Sequence, residues 1–97
     1  MPAYVTLANF TGKRLHDTKD TVKRADAFSA TAASHGAHMR EFLWTQGVYD
    51  MVCDIEAPDD MTMSALMLNA LKLGNVGGQT LRAFTSAEMD KILAMVA

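Results

Sequence analysis

Hydrophobic and polar residues alternate along four segments of the chain, and this pattern predicts four β-strands. In chain order they are Ala3 to Phe10, His38 to Gln46, Val48 to Glu56 and Val76 to Phe84. The second and third strands meet at Gln46-Gly47, where glycine supplies the positive φ of a tight hairpin. Within the fourth strand, Gly77-Gly78 indicates a bulge or a close approach of backbone.

Apolar residues recur at helical spacing between and after these strands. The first helix is predicted to begin at Asp20 or Thr21 and to stop at Gly36, and the second runs from Pro58-Asp59-Asp60 to Gly74-Asn75. A capping box at Thr85-Ser86-Ala87-Glu88 begins the last helix, whose apolar stripe is Met89, Ile92, Leu93 and Val96.

The order of elements, β-α-β-β-α-β with an extra C-terminal helix, is that of a ferredoxin-like α+β domain. It predicts a four-stranded antiparallel sheet, with strand order 4-1-3-2, in a single domain over residues 1–97. A chain of 97 residues with one cysteine has a small core and no internal disulfide, which favours self-association.

Alternation divides the strand residues into two faces, and neither face is fully polar. The face expected against the helices is Val5, Leu7, Leu43, Met51, Cys53, Ile55 and Leu81. The other face mixes aromatic and apolar residues with polar ones: Tyr4, Thr6, Phe10, Phe42, Trp44, Val48, Val52, Phe84, His38, Arg40, Asp50, Thr80 and Arg82. Because that mixed face is too apolar to stay in water, we expect a second copy to cover it in a homodimer or a higher oligomer.

Composition and charge exclude several classes of protein. The chain is 49% hydrophobic and 21% charged, as globular domains are, and its net charge of −2 lacks the basic surface of a nucleic-acid-binding protein. No apolar stretch approaches the length that spans a bilayer, so we expect no membrane partner and a cytoplasmic location. Cys53 lies in an apolar strand and is expected to be a core residue rather than a nucleophile.

Five segments together resemble the GYD domain family. They are YVTLANFT at 4–11, KDTVKRADAF at 19–28, WTQGVYDMV at 44–52, EAPDD at 56–60 and LGNVGGQTLRAFTSAEM at 73–89. Gly47, Tyr49 and Asp50, within GVYD, match the Gly-Tyr-Asp signature with one residue inserted. The resemblance implies a small bacterial or archaeal protein of the dimeric α+β barrel type, a fold that hosts cofactor-free monooxygenases, isomerases, haem enzymes and ligand-sensing modules.

The candidate ligand-binding residues are Tyr4, Trp44, Tyr49, Asp50 and Arg82. A carboxylate on a packed sheet face is costly unless it is paired, and Arg82 could reach Asp50 across one strand. The functional interpretation is a polar pair between Tyr4 and Trp44 that orients a small anionic or aromatic ligand, with Asp50 as a base. The structural alternative makes Asp50 part of an interface ion pair or of a hydrogen bond that supports the turn.

The sequence suggests no cofactor and no metal site. His16, His35 and His38 do not share a helix face, and Met63 and Met67, four residues apart, are expected to serve packing rather than copper binding. Two functions stay open. One is a homodimeric small-molecule-binding or regulatory module, with its ligand in a cleft between sheet and helices or at the dimer seam. The alternative is a cofactor-independent, monooxygenase- or isomerase-like enzyme acting on a small aromatic or enolisable substrate.

Overall fold

In a computed structural model, which describes residues 1–11, 18–72 and 76–96, four strands and three helices follow one another in the predicted order. The strands are β1 (Ala3–Phe10), β2 (His38–Trp44), β3 (Met51–Glu56) and β4 (Val76–Ala83). The helices are α1 (Thr21–Ser34), α2 (Asp60–Lys72) and α3 (Ser86–Leu93). The predicted helix end at Gly74-Asn75, and His16, lie outside the described residues.

The strands form one antiparallel sheet in the order β2-β3-β1-β4, which confirms the predicted order 4-1-3-2. With α1 and α2 packed on one face of that sheet, the fold is ferredoxin-like α+β. None of the described helices is both long and apolar enough to cross a membrane.

The helices cover a different set of strand residues from the predicted one. In the observed register Tyr4 lies opposite Ile55, and residues that lie opposite each other share a face of the sheet. Tyr4 is therefore buried with Ile55 and Cys53 in the core under the helices, joined by Met63 and Leu66 of α2. The predicted faces are correct for β3 but wrong for β1, β2 and β4. In each of those three strands, the residues that face the helices lie one position along from the predicted ones.

The face without helices carries an apolar stripe across all four strands, which we call the open face. Its members are Val5, Leu7, Leu43, Val52 and Leu81, as the strand register requires. Leu43 is 50% exposed and Leu81 is 44% exposed, although both were predicted to lie in the core. Beside the stripe, Arg40 forms ion pairs with Asp54 at 3.7 Å and Glu56 at 3.3 Å.

The connection between β2 and β3 is a loop over residues 45–50 rather than the predicted tight hairpin. Thr45 N–H donates to the carbonyl of Asp50 at 2.8 Å and closes the loop, within which Gly47 has φ +121°. Asp50 N–H donates instead to Ala8 O at 2.9 Å and to Asn9 Oδ1 at 3.0 Å. Because the N–H of Asp50 bonds to β1, the pairing of β2 with β3 ends at Trp44 and Met51 and does not continue into the loop.

Glycine is required at Gly78, which lies opposite Ala8. A Cβ atom built on Gly78 would stand 2.0 Å from Leu7 O and 2.8 Å from Ala8 Cα. The close approach of backbone predicted for this strand is confirmed, whereas the β1–β4 register runs through Gly77 and Gly78 without a bulge. The irregularity of the sheet lies instead in β2, between Met39 and Glu41.

The helix ends largely follow their sequence signals. Asp20 is at the N-cap position of α1, although its side chain makes no capping hydrogen bond and pairs with Arg24 instead. Gly36, with φ +78°, follows the C-cap of the helix. The capping box of α3 is present, with Thr85 Oγ1 accepting from Glu88 N–H and Glu88 accepting from Thr85 N–H. No residue of α3 is fully buried, and its predicted apolar stripe is mostly exposed, with Ile92 half-buried.

Candidate functional site

Two of the five predicted ligand-binding residues come together. Tyr4 lies opposite Arg82, and the guanidinium carbon of Arg82 is 5.6 Å from the Tyr4 ring centroid. Arg82 also lies over the Phe84 ring at 4.6 Å, donates to Ala3 O at 3.2 Å and pairs with Glu88 at 3.6 Å. Arg82 thus joins β1, β4 and the start of α3.

The predicted pair between Asp50 and Arg82 is wrong. Asp50 Oδ2 accepts a hydrogen bond from Phe10 N–H at 3.0 Å, at the end of β1 away from Tyr4. Arg82 pairs with Tyr4, and four residues of extended strand, roughly 13 Å, separate Tyr4 from Ala8, the residue that Asp50 also bonds. The carboxylate of Asp50 therefore supports the turn, as the structural alternative had it.

Trp44 and Tyr49, two other predicted ligand-binding residues, make separate contacts elsewhere in the fold. The Trp44 indole N–H donates to Thr21 Oγ1 at 3.0 Å, which ties β2 to the start of α1. Tyr49 Oη accepts from Gln79 Nε2 at 2.6 Å, and Gln79 lies opposite Leu7 on the open face. Tyr49 thus fastens the 45–50 loop to β4, while Asp50 fastens it to β1.

A cavity of about 320 Å³ lies between α1, α2 and the sheet, and we call it the α1–α2 cavity. Its walls are mainly apolar: Thr6, Ala8, Phe10, Thr21, Arg24, Ala25, Ala27, Phe28, Thr31, Phe42, Met51, Cys53, Met67, Asn69 and Ala70. Arg24, the charged residue among these, is paired with Asp20 at 3.2 Å and lies over the Phe10 ring at 5.8 Å. Trp44 contacts the wall from outside, with its ring centroid 4.8 Å from that of Phe42.

Cys53 lies in the sheet floor of the cavity. Burial raises the pKa of its thiol, and a hydrogen bond with Thr6 partly opposes that rise. A thiol with a raised pKa stays protonated near neutral pH and is a poor nucleophile. Cys53 therefore acts as an apolar wall residue, in agreement with the expectation of a core position.

A second, more open depression of about 550 Å³ lies between α2 and β4, and we call it the α2–β4 groove. It is lined by Tyr4, Asp60, Met63, Ser64, Met67, Leu68, Gly78, Thr80 and Arg82. Tyr4 Oη donates a hydrogen bond to Asp60 Oδ1. This bond, followed by burial, raises the pKa of Tyr4 above its ordinary value, so the phenol stays neutral.

Metal ligands do not gather in the described part of the chain. No three His, Cys, Asp or Glu side chains are placed there to hold a metal ion. His35 Nδ1 lies 2.9 Å from Thr31 O, and His38 is at the start of β2. These described histidines therefore belong to the end of a helix and to an edge strand.

The sequence suggested a ligand in a cleft between sheet and helices or at the dimer seam, but none of the five predicted ligand-binding residues lines the α1–α2 cavity. The cavity exists because small side chains of α1, such as Ala25, Ala27 and Thr31, face the space over β2 and β3. Among the α1 residues that line the cavity only Arg24 and Phe28 have large side chains, so the helix does not fill the gap it spans. The sequence signal that could have indicated the cavity is the alanine-rich composition of α1, the helix that lies over the sheet.

The architecture defines a ferredoxin-like α+β protein with a mainly apolar cavity under its helices. The model of the GYD domain family matches residues 4–93, nearly the whole chain, and the chain belongs to that family. No curated protein and no solved structure matches it significantly.

Proposed function

We propose that this GYD domain protein is a homodimeric module that binds a small, mainly apolar molecule in the α1–α2 cavity. The observation that carries the proposal is the cavity itself, whose volume of about 320 Å³ is within the size range of ligand pockets. The cavity is partly open to solvent, and an occupant would remove its mainly apolar walls from water.

The walls of the cavity indicate the chemistry of that occupant. Phe10, Phe28 and Phe42 offer aromatic surface from β1, α1 and β2. The positive charge of Arg24 is already neutralised by Asp20, so a charged ligand would gain little there. These features favour an uncharged ligand with one or two aromatic rings, bound by apolar contact and ring stacking.

Cavity filling tests this proposal. Isothermal titration calorimetry with 2-naphthol is expected to show one site per chain in the unaltered protein. Ala70→Leu places a larger side chain in the wall and should weaken binding by roughly tenfold or more. Ala65→Leu makes the same change at an exposed position of α2 outside the wall and should leave the affinity unchanged. No binding to the unaltered protein, or equal losses in both variants, would refute the proposal.

The proposed dimer is supported by the open face. Its stripe of Val5, Leu7, Leu43, Val52 and Leu81 spans the sheet and is covered by neither α1 nor α2. A second sheet related by a twofold axis would bury the stripe against itself. This is the sheet-to-sheet contact expected from the family resemblance, made through residues other than the mixed aromatic set that the sequence suggested.

Two leucines of nearly equal exposure provide a matched test of the dimer. Leu43, on the open face, is 50% exposed, and Leu71, on α2, is 52% exposed. In light scattering at micromolar concentration we expect the unaltered protein and Leu71→Asp to be dimeric and Leu43→Asp to be monomeric. A monomeric unaltered protein, or a dimeric Leu43→Asp variant, would exclude this interface.

The alternative of a cofactor-independent enzyme has less support. It relied on Asp50 as a base close to Arg82, Tyr4 and Trp44. The carboxylate of Asp50 instead accepts from Phe10 N–H, at the opposite end of β1 from Tyr4 and Arg82. The binding module is therefore the function that the geometry supports better.

A further inference from the structure

We propose that the α1–α2 cavity and the α2–β4 groove are two compartments of one binding site, divided by the side chain of Met67. The ligand class that fits both compartments is an elongated molecule with an apolar tail and an uncharged polar head, such as an alkylphenol. This inference rests on the proposed function and extends it from the cavity to the neighbouring groove.

The division between the compartments consists of side chains. Met67 lines both the cavity and the groove. Its sulfur lies 3.7 Å from Thr6 Oγ1, and the same hydroxyl lies 3.1 Å from Thr80 Oγ1. Thr6 lines the cavity and Thr80 lines the groove, so the two spaces meet at this contact. A methionine side chain has three rotatable bonds and no branch, so it can swing aside for a ligand.

The two compartments differ in polarity. The cavity has three phenylalanines and a neutralised cation, whereas the groove adds the hydroxyls of Ser64 and Thr80 to the carboxylate of Asp60. The lining of the groove carries one carboxylate, Asp60, and one guanidinium, Arg82, so the two charges offset each other. Hydrogen-bond donors and acceptors without an excess of charge fit a hydroxyl, phenol or amide head in the groove, with the tail in the cavity.

Ligand length tests whether the compartments act together. We expect the affinity for 4-alkylphenols, from 4-ethylphenol to 4-octylphenol, to rise by roughly fourfold for each methylene until the cavity is full. Because the tail would occupy the space that takes 2-naphthol, 4-octylphenol should displace 2-naphthol competitively. Calorimetric titrations, alone and in competition, measure both effects.

Blocking the groove tests where the head lies. Ser64→Phe places a ring in the groove and should weaken 4-octylphenol binding by about tenfold while changing 2-naphthol binding by less than about twofold. Ala65→Phe, on the same helix but outside both linings, is the control and should change neither. Met67→Ala removes the division and should raise the ratio of 4-octylphenol affinity to 2-naphthol affinity. If Met67→Ala does not fold, the Ser64→Phe and Ala65→Phe pair decides.

The outcomes separate the two proposals. If 2-naphthol binds, but the affinity for alkylphenols does not depend on length or both ligands bind at once, the two-compartment site is overturned and the cavity proposal stands. A Ser64→Phe variant that binds 4-octylphenol normally overturns the groove as the site of the head, as does an unchanged affinity ratio in Met67→Ala. If neither ligand binds the unaltered protein, both proposals fall.

Discussion

Replacing Gly78 by alanine should be among the most damaging single changes in this chain. The added Cβ would stand 2.0 Å from Leu7 O and 2.8 Å from Ala8 Cα, and both of these are backbone atoms. Reaching an allowed separation of 3.0 Å from Leu7 O requires β1 and β4 to move apart by about 1 Å. Ladder hydrogen bonds near 2.9 Å would lengthen to about 3.9 Å, beyond the range of a hydrogen bond.

The cost follows from that displacement. Three weakened ladder bonds at about 1 kcal/mol each would give a loss of about 3 kcal/mol in the free energy of unfolding. For a domain of this size such a loss lowers the melting temperature by roughly 12–24 °C. Urea denaturation followed by circular dichroism measures the free energy, and a thermal scan measures the midpoint.

Gly77→Ala is the matched control. Its Cβ would lie 3.3 Å from Thr11 Cγ2, a side-chain atom that can move, and the substitution reduces the entropy of the unfolded chain. We expect the stability of Gly77→Ala to stay within about 1 kcal/mol of that of the unaltered protein. If both variants unfold at the same urea concentration, the close approach at Gly78 does not hold the sheet in the way described.

Three further predictions concern single contacts. Asp50→Ala removes the acceptor for Phe10 N–H and should cost about 1–2 kcal/mol in urea denaturation, and Asp50→Asn, which keeps an acceptor, should cost less; equal losses would contradict that role. Because the bond to Asp60 and burial raise the pKa of Tyr4 above 10.0, the folded protein keeps a phenol proton that the unfolded chain loses. Stability should therefore fall as the pH rises above about 10, and Asp60→Asn should flatten the fall measured by denaturation at successive pH values. Thr85→Ala should weaken α3 by about 1 kcal/mol, seen as faster amide exchange in that helix, while the melting of the sheet stays the same because α3 buries no residue.

Local signals in the sequence predicted the elements and their order well. The limits of β1 agree with the prediction, and the capping box at Thr85 and Glu88 forms as expected. Such features depend on residues close together in the chain, so short-range patterns contain them. The strand order followed from the β-α-β-β-α-β connectivity, which restricts the possible topologies to a few.

Local sequence patterns could not show which alternate residues of each strand face the helices. Val5 and Tyr4 are both apolar enough to be core residues, and the choice depends on which of them lies opposite Ile55. The prediction of a tight hairpin at Gln46-Gly47 was wrong for a related reason, since Asp50 bonds to Ala8 and Asn9 of a strand about forty residues earlier. Both the strand faces and the shape of the β2–β3 connection depend on contacts between residues far apart in the chain.

The candidate site, too, could be predicted only in part from the sequence. Tyr4 and Arg82, two of the predicted ligand-binding residues, lie together, but Asp60 and Glu88 rather than Asp50 provide their carboxylate partners. The α1–α2 cavity arises from what α1 leaves unfilled, and the volume between a helix and a sheet is a property of their packing, which no single segment encodes.

The irregularity in β2 has a consequence for how copies of this chain can meet. β2 is an edge strand, and Arg40 interrupts its register between Met39 and Glu41. A bulged, charged edge cannot offer a regular row of N–H and C=O groups to a strand of another molecule. Sheet extension along this edge, the route to fibrils and edge-to-edge aggregates, is therefore disfavoured even in concentrated solution.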